Sequence, residues 1–254
     1  MKKATIKNIA AFLNKELGVR AVKDSSANGL QVRSRTTGDI RKVGFAVDAC
    51  ISTFGMAKKQ GVDLLVVHHG IKWRPQKDRA LAKLREAYLK EQNLALYAAH
   101  LPLDLHAEYG NNVQLCRILG LTDVRKFGRY HGVRIGFEGA FARPMRLGDA
   151  ASYLNSGLRT RCRVFRFGKD RIRRVGIISG GGGSMLKDAV LRNLDCFLVG
   201  ELDLAAHNAA KDCGMNVIAA GHYKTETVGV KALMPLINET FGVETVFIED
   251  EKDL

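Results

Sequence analysis

The chain has 254 residues, of which 46% are apolar and 26% are charged, and its formal net charge is +14. This composition is typical of a globular protein, and the length suffices for one large α/β domain or two smaller lobes. No apolar stretch approaches the roughly 20 residues of a membrane span, so no membrane partner is expected. The five cysteines are scattered and form no Cys-x-x-Cys pair, so they predict neither a disulfide framework nor a thiolate zinc site.

The N-terminal segment predicts a surface helix rather than a signal peptide. Its apolar residues Ile6, Ile9, Leu13 and Leu17 follow helical spacing, and no continuous apolar core is present. Free cysteines are the usual state in a reducing compartment. The sequence therefore predicts a cytoplasmic protein.

Strand-like and helix-like segments alternate through the first half of the chain. Their βαβαβα order is the pattern of a parallel or mixed sheet with helices on its faces. The predicted strands are the apolar runs at residues 43–47, 63–69 and 93–100, and the predicted helices cover residues 50–60, 77–91 and 111–119.

The second half is less regular up to residue 170 and then alternates again. We predict two similar α/β lobes, residues 1–127 and 128–254, with mixed sheets flanked by helices and a final segment able to pack back on the first lobe. The predicted strands here cover residues 133–141, 175–179, 196–199, 215–222 and 243–248, and the predicted helices cover residues 147–158, 185–193, 205–213 and 228–240.

Three of the apolar runs end in histidine. The first ends in the adjacent pair His68 and His69, the second in His100 and the third in His222. Residues just past the carboxyl ends of strands form the ligand crevice of open α/β sheets, so the histidines stand where chemistry is usually placed. The first pair alone would be explained by hydrogen-bonded loop histidines. Its recurrence at two further strands instead favours a shared site.

Carboxylates follow two of these histidines at matched spacing. Asp104 lies four residues after His100, and Glu226 lies four residues after His222. Four imidazoles and two carboxylates suit Fe, Zn, Mn, Co or Ni better than calcium or magnesium. Six ligands exceed one tetrahedral zinc site and predict two divalent metals, roughly 3.5 to 4 Å apart, bridged by either of the two acids.

A glycine-rich loop lies between a predicted strand and a predicted helix. Its glycines, Gly180, Gly181, Gly182 and Gly183, would let backbone amides approach a phosphate at a helix N-terminus. The loop has neither the Walker ending nor the dinucleotide spacing, so neither ATPase nor dehydrogenase follows. The alternative is a tight turn where the sheet crowds another element.

Two further side chains are candidates for proton transfer. Alternatively, each could support the metal site or be an ordinary surface residue. Glu201 ends a predicted strand, and His207 lies on the helix that follows it. Either would be positioned near the crevice at the strand ends.

The densest positive charge lies in residues 159–174. Arg159, Arg161 and Arg163 alternate along a predicted strand and would share one face, which could hold the phosphates of a nucleotide or of a nucleic acid. Charge on an exposed edge strand also prevents pairing with other chains, and this interpretation stays equally open.

Together these motifs resemble the Nif-three-like dinuclear metal centre family, whose members are often called GTP cyclohydrolase 1 type 2 homologues. The resemblance runs nearly end to end, and its two outer motifs are the most specific. The motifs are Asn28-Gly-Leu-Gln-Val32, Ala46-Val-Asp48, His68-His69, Ala-His-Leu-Pro-Leu-Asp104, Tyr-Gly-Asn-Asn112, the glycine loop, Val-Gly-Glu201 and Gly-His-Tyr-Lys-Thr-Glu226.

The resemblance implies a Nif-three-like fold of two α/β lobes and a toroidal homohexamer, a trimer of dimers, with metal sites facing the central cavity. It implies two divalent metals per chain, held by His68, His69, His100, Asp104, His222 and Glu226. Relatives often carry Thr-Asn where this chain has Leu101-Pro102, a departure that bears on substrate preference.

Two functions from different classes follow as expectations. The first is a metal-dependent hydrolase acting on a nucleotide, which would catalyse either ring opening of GTP or phosphodiester hydrolysis. In ring opening, Glu201 or His207 would move protons, and the glycine loop would hold the phosphates together with Arg161 and Arg163. The second is a non-catalytic metal-binding or regulatory scaffold, including a ring that associates with nucleic acid through its basic surface.

Overall fold

The computed structural model describes residues 2–130 and 132–250. Its strands are β1 (Gly29–Val32), β2 (Lys42–Asp48), β3 (Leu64–His69), β4 (Ala95–Ala98), β5 (Thr122–Tyr130), β6 (Val133–Arg146), β7 (Arg163–Phe165), β8 (Arg171–Ile178), β9 (Cys196–Val199), β10 (Asn216–Ala219) and β11 (Glu244–Phe247). Its α-helices are α1 (Ile6–Glu16), α2 (Ile51–Lys59), α3 (Arg79–Glu91), α4 (Leu101–Asp104), α5 (Asn111–Ile118), α6 (Leu147–Leu158), α7 (Leu186–Leu191), α8 (Leu204–Asp212) and α9 (His222–Phe241).

The chain forms two compact units, and the first contains residues 2–103 and 230–250. Its five-stranded sheet has the order β1-β4-β3-β2-β11, in which only the β1–β4 pair is antiparallel. β2, β3 and β4 are apolar because both faces of the sheet are covered, as in other sheets built from parallel strands. Phe45, Phe54 and Leu65 are fully buried in this unit.

The second unit contains residues 104–130 and 132–229. Its six-stranded sheet has the order β5-β6-β8-β9-β10-β7, with parallel pairing only between β8 and β9 and between β9 and β10. The hydrophobic core of this unit joins the sheet to α5 and α6 through Leu115, Leu154 and Ile177, among others. Both sheets are mixed and flanked by helices, so the predicted fold class is confirmed.

The division between the units differs from the predicted boundary at residue 127. The chain passes from one unit to the other after residue 103 and returns after residue 229. The reason is that α5 buries Val113, Leu115 and Cys116 in the core of the second unit, while β5 pairs with β6 of the same unit. The final strand, β11, pairs with β2 in the first unit.

The predicted strand that would carry Arg159, Arg161 and Arg163 together is not formed by these described residues. Arg159 ends α6 in the left-handed conformation, with a φ of 51°, and strand pairing in this region covers only β7 before β8 begins. Alternation along one strand therefore cannot place Arg159, Arg161 and Arg163 on a common face. In the part of the chain that the structure describes, no helix has the length and apolarity needed to cross a membrane.

Candidate metal-binding groups

Three of the predicted histidines meet in the first unit. One ring nitrogen from each of His68, His69 and His100 lies within 4.8 Å of the others. His68 and His69 are the last two residues of β3, and His100 stands between the end of β4 and the start of α4. His68 is fully buried, and the other two are half-buried. The ends of neighbouring parallel strands thus bring these imidazoles together, as the pattern predicted.

In each of these histidines the Nδ1 atom contacts an oxygen acceptor. The partners are the Ala99 carbonyl for His68 at 2.9 Å, Asp48 Oδ1 for His69 at 2.9 Å and Asp24 Oδ1 for His100 at 3.0 Å. An acceptor at Nδ1 places the proton of the neutral ring there, which leaves the Nε2 lone pair for a metal. The group therefore fits a transition metal that prefers imidazole ligands.

Asp24 is the centre of a hydrogen-bond network around His100. Besides the contact with Nδ1 of His100, its carboxylate accepts hydrogen bonds from the backbone N–H groups of Ser26 and Leu101 and from the side-chain amide of Asn28. Burial acts to raise the pKa of Asp24, but the hydrogen bond and charge interaction with His100, with the bonds from Asn28 and Ser26, prevail and lower it to about 2. The side chain is only 2% exposed and stays ionised.

A second group forms in the second unit around the first turn of α9. Nε2 of His222 lies 3.3 Å from Glu226 Oε1, and its Nδ1 lies 3.1 Å from Glu201 Oε2. The four-residue spacing puts His222 and Glu226 on one face of the helix. The glutamate side chains differ in burial, since Glu226 is 4% exposed and Glu201 is 62% exposed. Nε2 of His222 and the Glu226 carboxylate are thus donors compatible with a metal ion, whereas Glu201 contacts the other nitrogen of the ring.

The charge of His222 follows from these contacts. The hydrogen bond and charge of Glu226, helped by Glu201, outweigh burial and raise the pKa of His222 to about 9. Without a metal, the imidazole therefore carries a proton at neutral pH. A metal that binds Nε2 must replace this proton, as in other sites where ligands are deprotonated on binding.

Asp104, the remaining predicted ligand, is buried and positioned by two side chains of the second unit. Its Oδ1 accepts hydrogen bonds from Asn111 Nδ2 at 2.8 Å and from Ser179 Oγ at 3.1 Å. Asn112 also donates to the Asp104 carbonyl. The Asn-Asn pair noted in the sequence thus holds the acid at the end of α4.

The glycine loop packs against the residues of the second group. Gly180 has a φ of +62°, and a Cβ atom there would collide with Glu226 Oε1. Its N–H donates to Thr225 Oγ1 at 3.0 Å, and its carbonyl accepts from the N–H of Glu201 at 3.0 Å. At Gly180 the structure therefore shows the close turn that was the alternative to phosphate binding, and Gly181, Gly182 and Gly183 continue from it toward α7.

The other predicted residues have these positions. His207 on α8 packs edge-on against the rings of Phe165 and Phe167, with centroid separations of 5.2 and 5.4 Å. Arg161 lies in the connection before β7, and the guanidinium of Arg163, the first residue of that strand, lies over Phe165. Among the described contacts, Glu201 is thus the candidate proton-transfer group that reaches a predicted ligand.

Two carboxylates that position histidines, Asp24 and Asp48, are not among the predicted site residues. Asp48 ends the strand next to β3, and the register pairs Asp48 directly with His69. Its position at a strand end beside the His-His strand was a usable signal. Asp24 lies in an irregular polar segment that carries no comparable pattern.

An α/β protein with histidine and carboxylate groups at the ends of its strands is the class that this geometry defines. The sequence model of the Duf34/NIF3 (NGG1p interacting factor 3) family matches residues 4–253. The chain is 41% identical over 248 residues to the GTP cyclohydrolase 1 type 2 homolog of Pyrococcus abyssi, which covers 97% of this chain and 98% of that protein. A homolog with the same name from Deinococcus radiodurans is 38% identical over 241 residues, covering 94% of this chain and 91% of that protein.

Solved structures agree. The protein ybgI, described as of unknown function, superimposes with a TM-score of 0.90 at 29% identity and full coverage of both chains. TTHA1606 from Thermus thermophilus gives 0.86 at 36% identity, covering 98% of this chain and 99% of that chain. The chain belongs to the Duf34/NIF3 family.

Proposed function

We propose that this protein is a metal-dependent hydrolase acting on a nucleotide, with ring opening of GTP as the leading reaction. The observation that carries the proposal is the common arrangement of His68, His69 and His100, each with an oxygen acceptor at Nδ1. Such support is characteristic of metal ligands. The names of the relatives from Pyrococcus abyssi and Deinococcus radiodurans support the choice of reaction.

We propose two divalent ions per chain, drawn from Fe, Zn, Mn, Co or Ni, because the donor sets of the two units exceed the needs of one tetrahedral site. The proposed ligands are His68, His69, His100, Asp104, His222 and Glu226. Bound divalent ions at such sites activate water and polarise the bond under attack.

The protein's own residues supply orientation and proton transfer. Asp24 and Asp48 hold two imidazoles in the tautomer that presents Nε2. Glu201 contacts Nδ1 of His222 and remains largely exposed, so it can exchange protons with solvent during turnover. We propose Glu201 as the proton-transfer group in preference to His207, whose ring packs against two phenylalanines and contacts the side chain of Asn208.

The test measures metal content per chain and formate released from GTP, on protein purified without chelator. About two metals and metal-dependent formate release are expected, and His100→Ala should lose both. His106→Gln is the control, because this histidine belongs to neither group and bonds the backbone of Glu108 and Tyr109. Protein without metal under these conditions would refute the proposed ligands.

The same experiment separates the alternatives. Two metals with cleavage of a phosphodiester such as bis(4-nitrophenyl) phosphate, but no formate from GTP, would identify a phosphodiesterase, and two metals with neither product would favour a metal-binding or regulatory scaffold. The net charge of +14 is the observation that keeps nucleic acid among the partners of such a scaffold. Binding to single-stranded RNA that weakens with added salt and is unaffected by His222→Ala would support that role.

We also propose that the protein forms a homohexamer, as its resemblance to the family implies. Light scattering coupled to size-exclusion chromatography should give the mass of six 27.9 kDa chains. A monomer at all concentrations would contradict it.

A further inference from the structure

A cavity in the first unit adjoins the histidine group of that unit. Its volume is about 430 Å³, within the range of small-molecule sites. Apolar and cationic side chains share its lining, chiefly Trp73, Pro75, Leu81, Arg74, Lys77 and Arg85. A ligand with both an aromatic face and negative charge fits this combination.

Trp73 connects the cavity to the candidate metal ligands. The indole contacts His100 edge to face with a centroid separation of 5.1 Å, and its separation from His69 is 6.3 Å. Two hydrogen bonds fix the residue: Nε1 donates to the Gly70 carbonyl, and the backbone N–H donates to Gln76 Oε1. A ring that binds in the cavity against this indole is therefore held next to the histidines.

The cationic side of the cavity provides the charge for an anion. Nε of Arg85 is buried and has no hydrogen-bond partner among the described residues. Asp78, the acid of the lining, already accepts the N–H of Leu81 as the N-cap of α3. Arg74, Lys77 and Arg85 thus exceed the local negative charge, and a guanidinium with an unused donor is suited to a phosphate oxygen.

We propose that this cavity binds the substrate of the hydrolase as a nucleoside phosphate, with the base packed on Trp73 and a phosphate on Arg85. The proposal rests on the proposed function for the identity of the substrate. Stacking of a base on an aromatic side chain and bonding of phosphate to arginine are each common in nucleotide recognition.

Trp73 is the single tryptophan of the chain, so its fluorescence reports the cavity directly. Titration of the metal-free protein with GMP should quench the fluorescence saturably. Guanosine and ribose 5-phosphate should each bind at least 10-fold more weakly, because each lacks one of the two contacts. Absence of quenching by GMP, or equal binding of ribose 5-phosphate, would overturn the proposal.

Matched arginine variants test the phosphate contact. Arg85→Gln should raise the dissociation constant for GMP at least 10-fold. Arg79→Gln should leave it unchanged, because Arg79 lies on the same helix, is exposed and does not line the cavity. An Arg85→Gln variant that binds GMP like the unaltered protein would refute the assignment.

Failure of this inference is distinguishable from failure of the proposed function. If metal is absent but Trp73 responds to GMP through Arg85, the cavity is a nucleotide site and the hydrolase proposal fails. If metal and formate release are present but Arg85→Gln changes neither the dissociation constant for GMP nor the KM for GTP, the cavity assignment alone fails.

Discussion

When one ring nitrogen of a neutral imidazole donates its proton to an acceptor, the other nitrogen has the lone pair that can bind a metal. At His100 this choice is made by Asp24, which reaches the ring from a segment more than seventy residues earlier in the chain. Because this carboxylate is buried and also bonds the backbone N–H of Leu101, it fixes both the tautomer and the position of the ring. Metal affinity should therefore depend on a residue that is not itself a ligand.

Asp24→Asn should weaken metal binding about 10- to 100-fold, because the amide retains one acceptor where the carboxylate has two. Competition with a chromophoric chelator measures the affinity. Asp39→Asn, a change at an exposed acid, is the control. Unchanged affinity in the Asp24 variant would show that Nδ1 of His100 needs no charged partner.

The close contact between Gly180 and Glu226 leads to a second prediction. Gly180→Ala should lower the free energy of unfolding by more than the roughly 1 kcal/mol that a left-handed backbone conformation costs a residue with a side chain. It should also reduce metal uptake, because the new methyl group would displace Glu226. Gly120→Ala separates the two effects, because Gly120 has a φ of +64° but nothing within 4 Å of the added Cβ. Equal losses of stability in the two variants, with metal uptake intact, would contradict the packing role.

At the scale of helices and strands, apolar periodicity predicted the elements that are buried. The strands that lead to the histidines and helices such as α6 lie where their patterns indicated, because burial of a face selects the residues that line it. β5 was not predicted, because residues 122–126 are exposed at the edge of the sheet and show no alternation of buried and exposed residues. α9 begins six residues before the predicted start: its first turn is ordered by Thr225 and the glycine loop, which are tertiary contacts.

One carboxylate joins several elements of the second sheet. Glu138 on β6 is 4% exposed and pairs with Arg192 at 2.9 Å, while Arg125 on β5 and Arg174 on β8 lie within 4.0 Å of it. Its negative charge offsets three cations at the junction of these strands with the end of α7. The role is structural, since none of these residues belongs to either metal-binding group.

Glu138→Gln should lower the free energy of unfolding by about 1–3 kcal/mol, because the amide leaves the arginines without a charged acceptor. Urea unfolding measures the change, and the metal content of the folded variant should remain that of the unaltered protein. Glu91→Gln, at an exposed position, should have no measurable effect on stability. A loss of metal in the Glu138 variant would refute the separation of roles.

Each of the two units has its own buried apolar cluster. We therefore expect folding not to require a metal, unlike in small zinc domains that have little core. Metal should act as a ligand of the folded state, and stability should rise with its concentration.

Chelator-treated protein should keep its circular dichroism spectrum and unfold cooperatively at a lower temperature. Restoring metal at about 100 times its dissociation constant should add about 2.7 kcal/mol for one site. Thermal unfolding with and without metal measures this increase. Loss of the spectrum on chelation would show that folding requires the metal and would contradict this prediction.

Because the chain leaves the first unit and returns to it, the ribosome completes the second unit before the first. The ribosome completes residues 104–229, and with them every strand of the second sheet, before it makes β11, the edge strand beside β2. Until then β2 presents an unpaired edge to solvent, which is a template for pairing with other chains. The second unit can thus fold early, while the first stays vulnerable to aggregation until β11 has been synthesised.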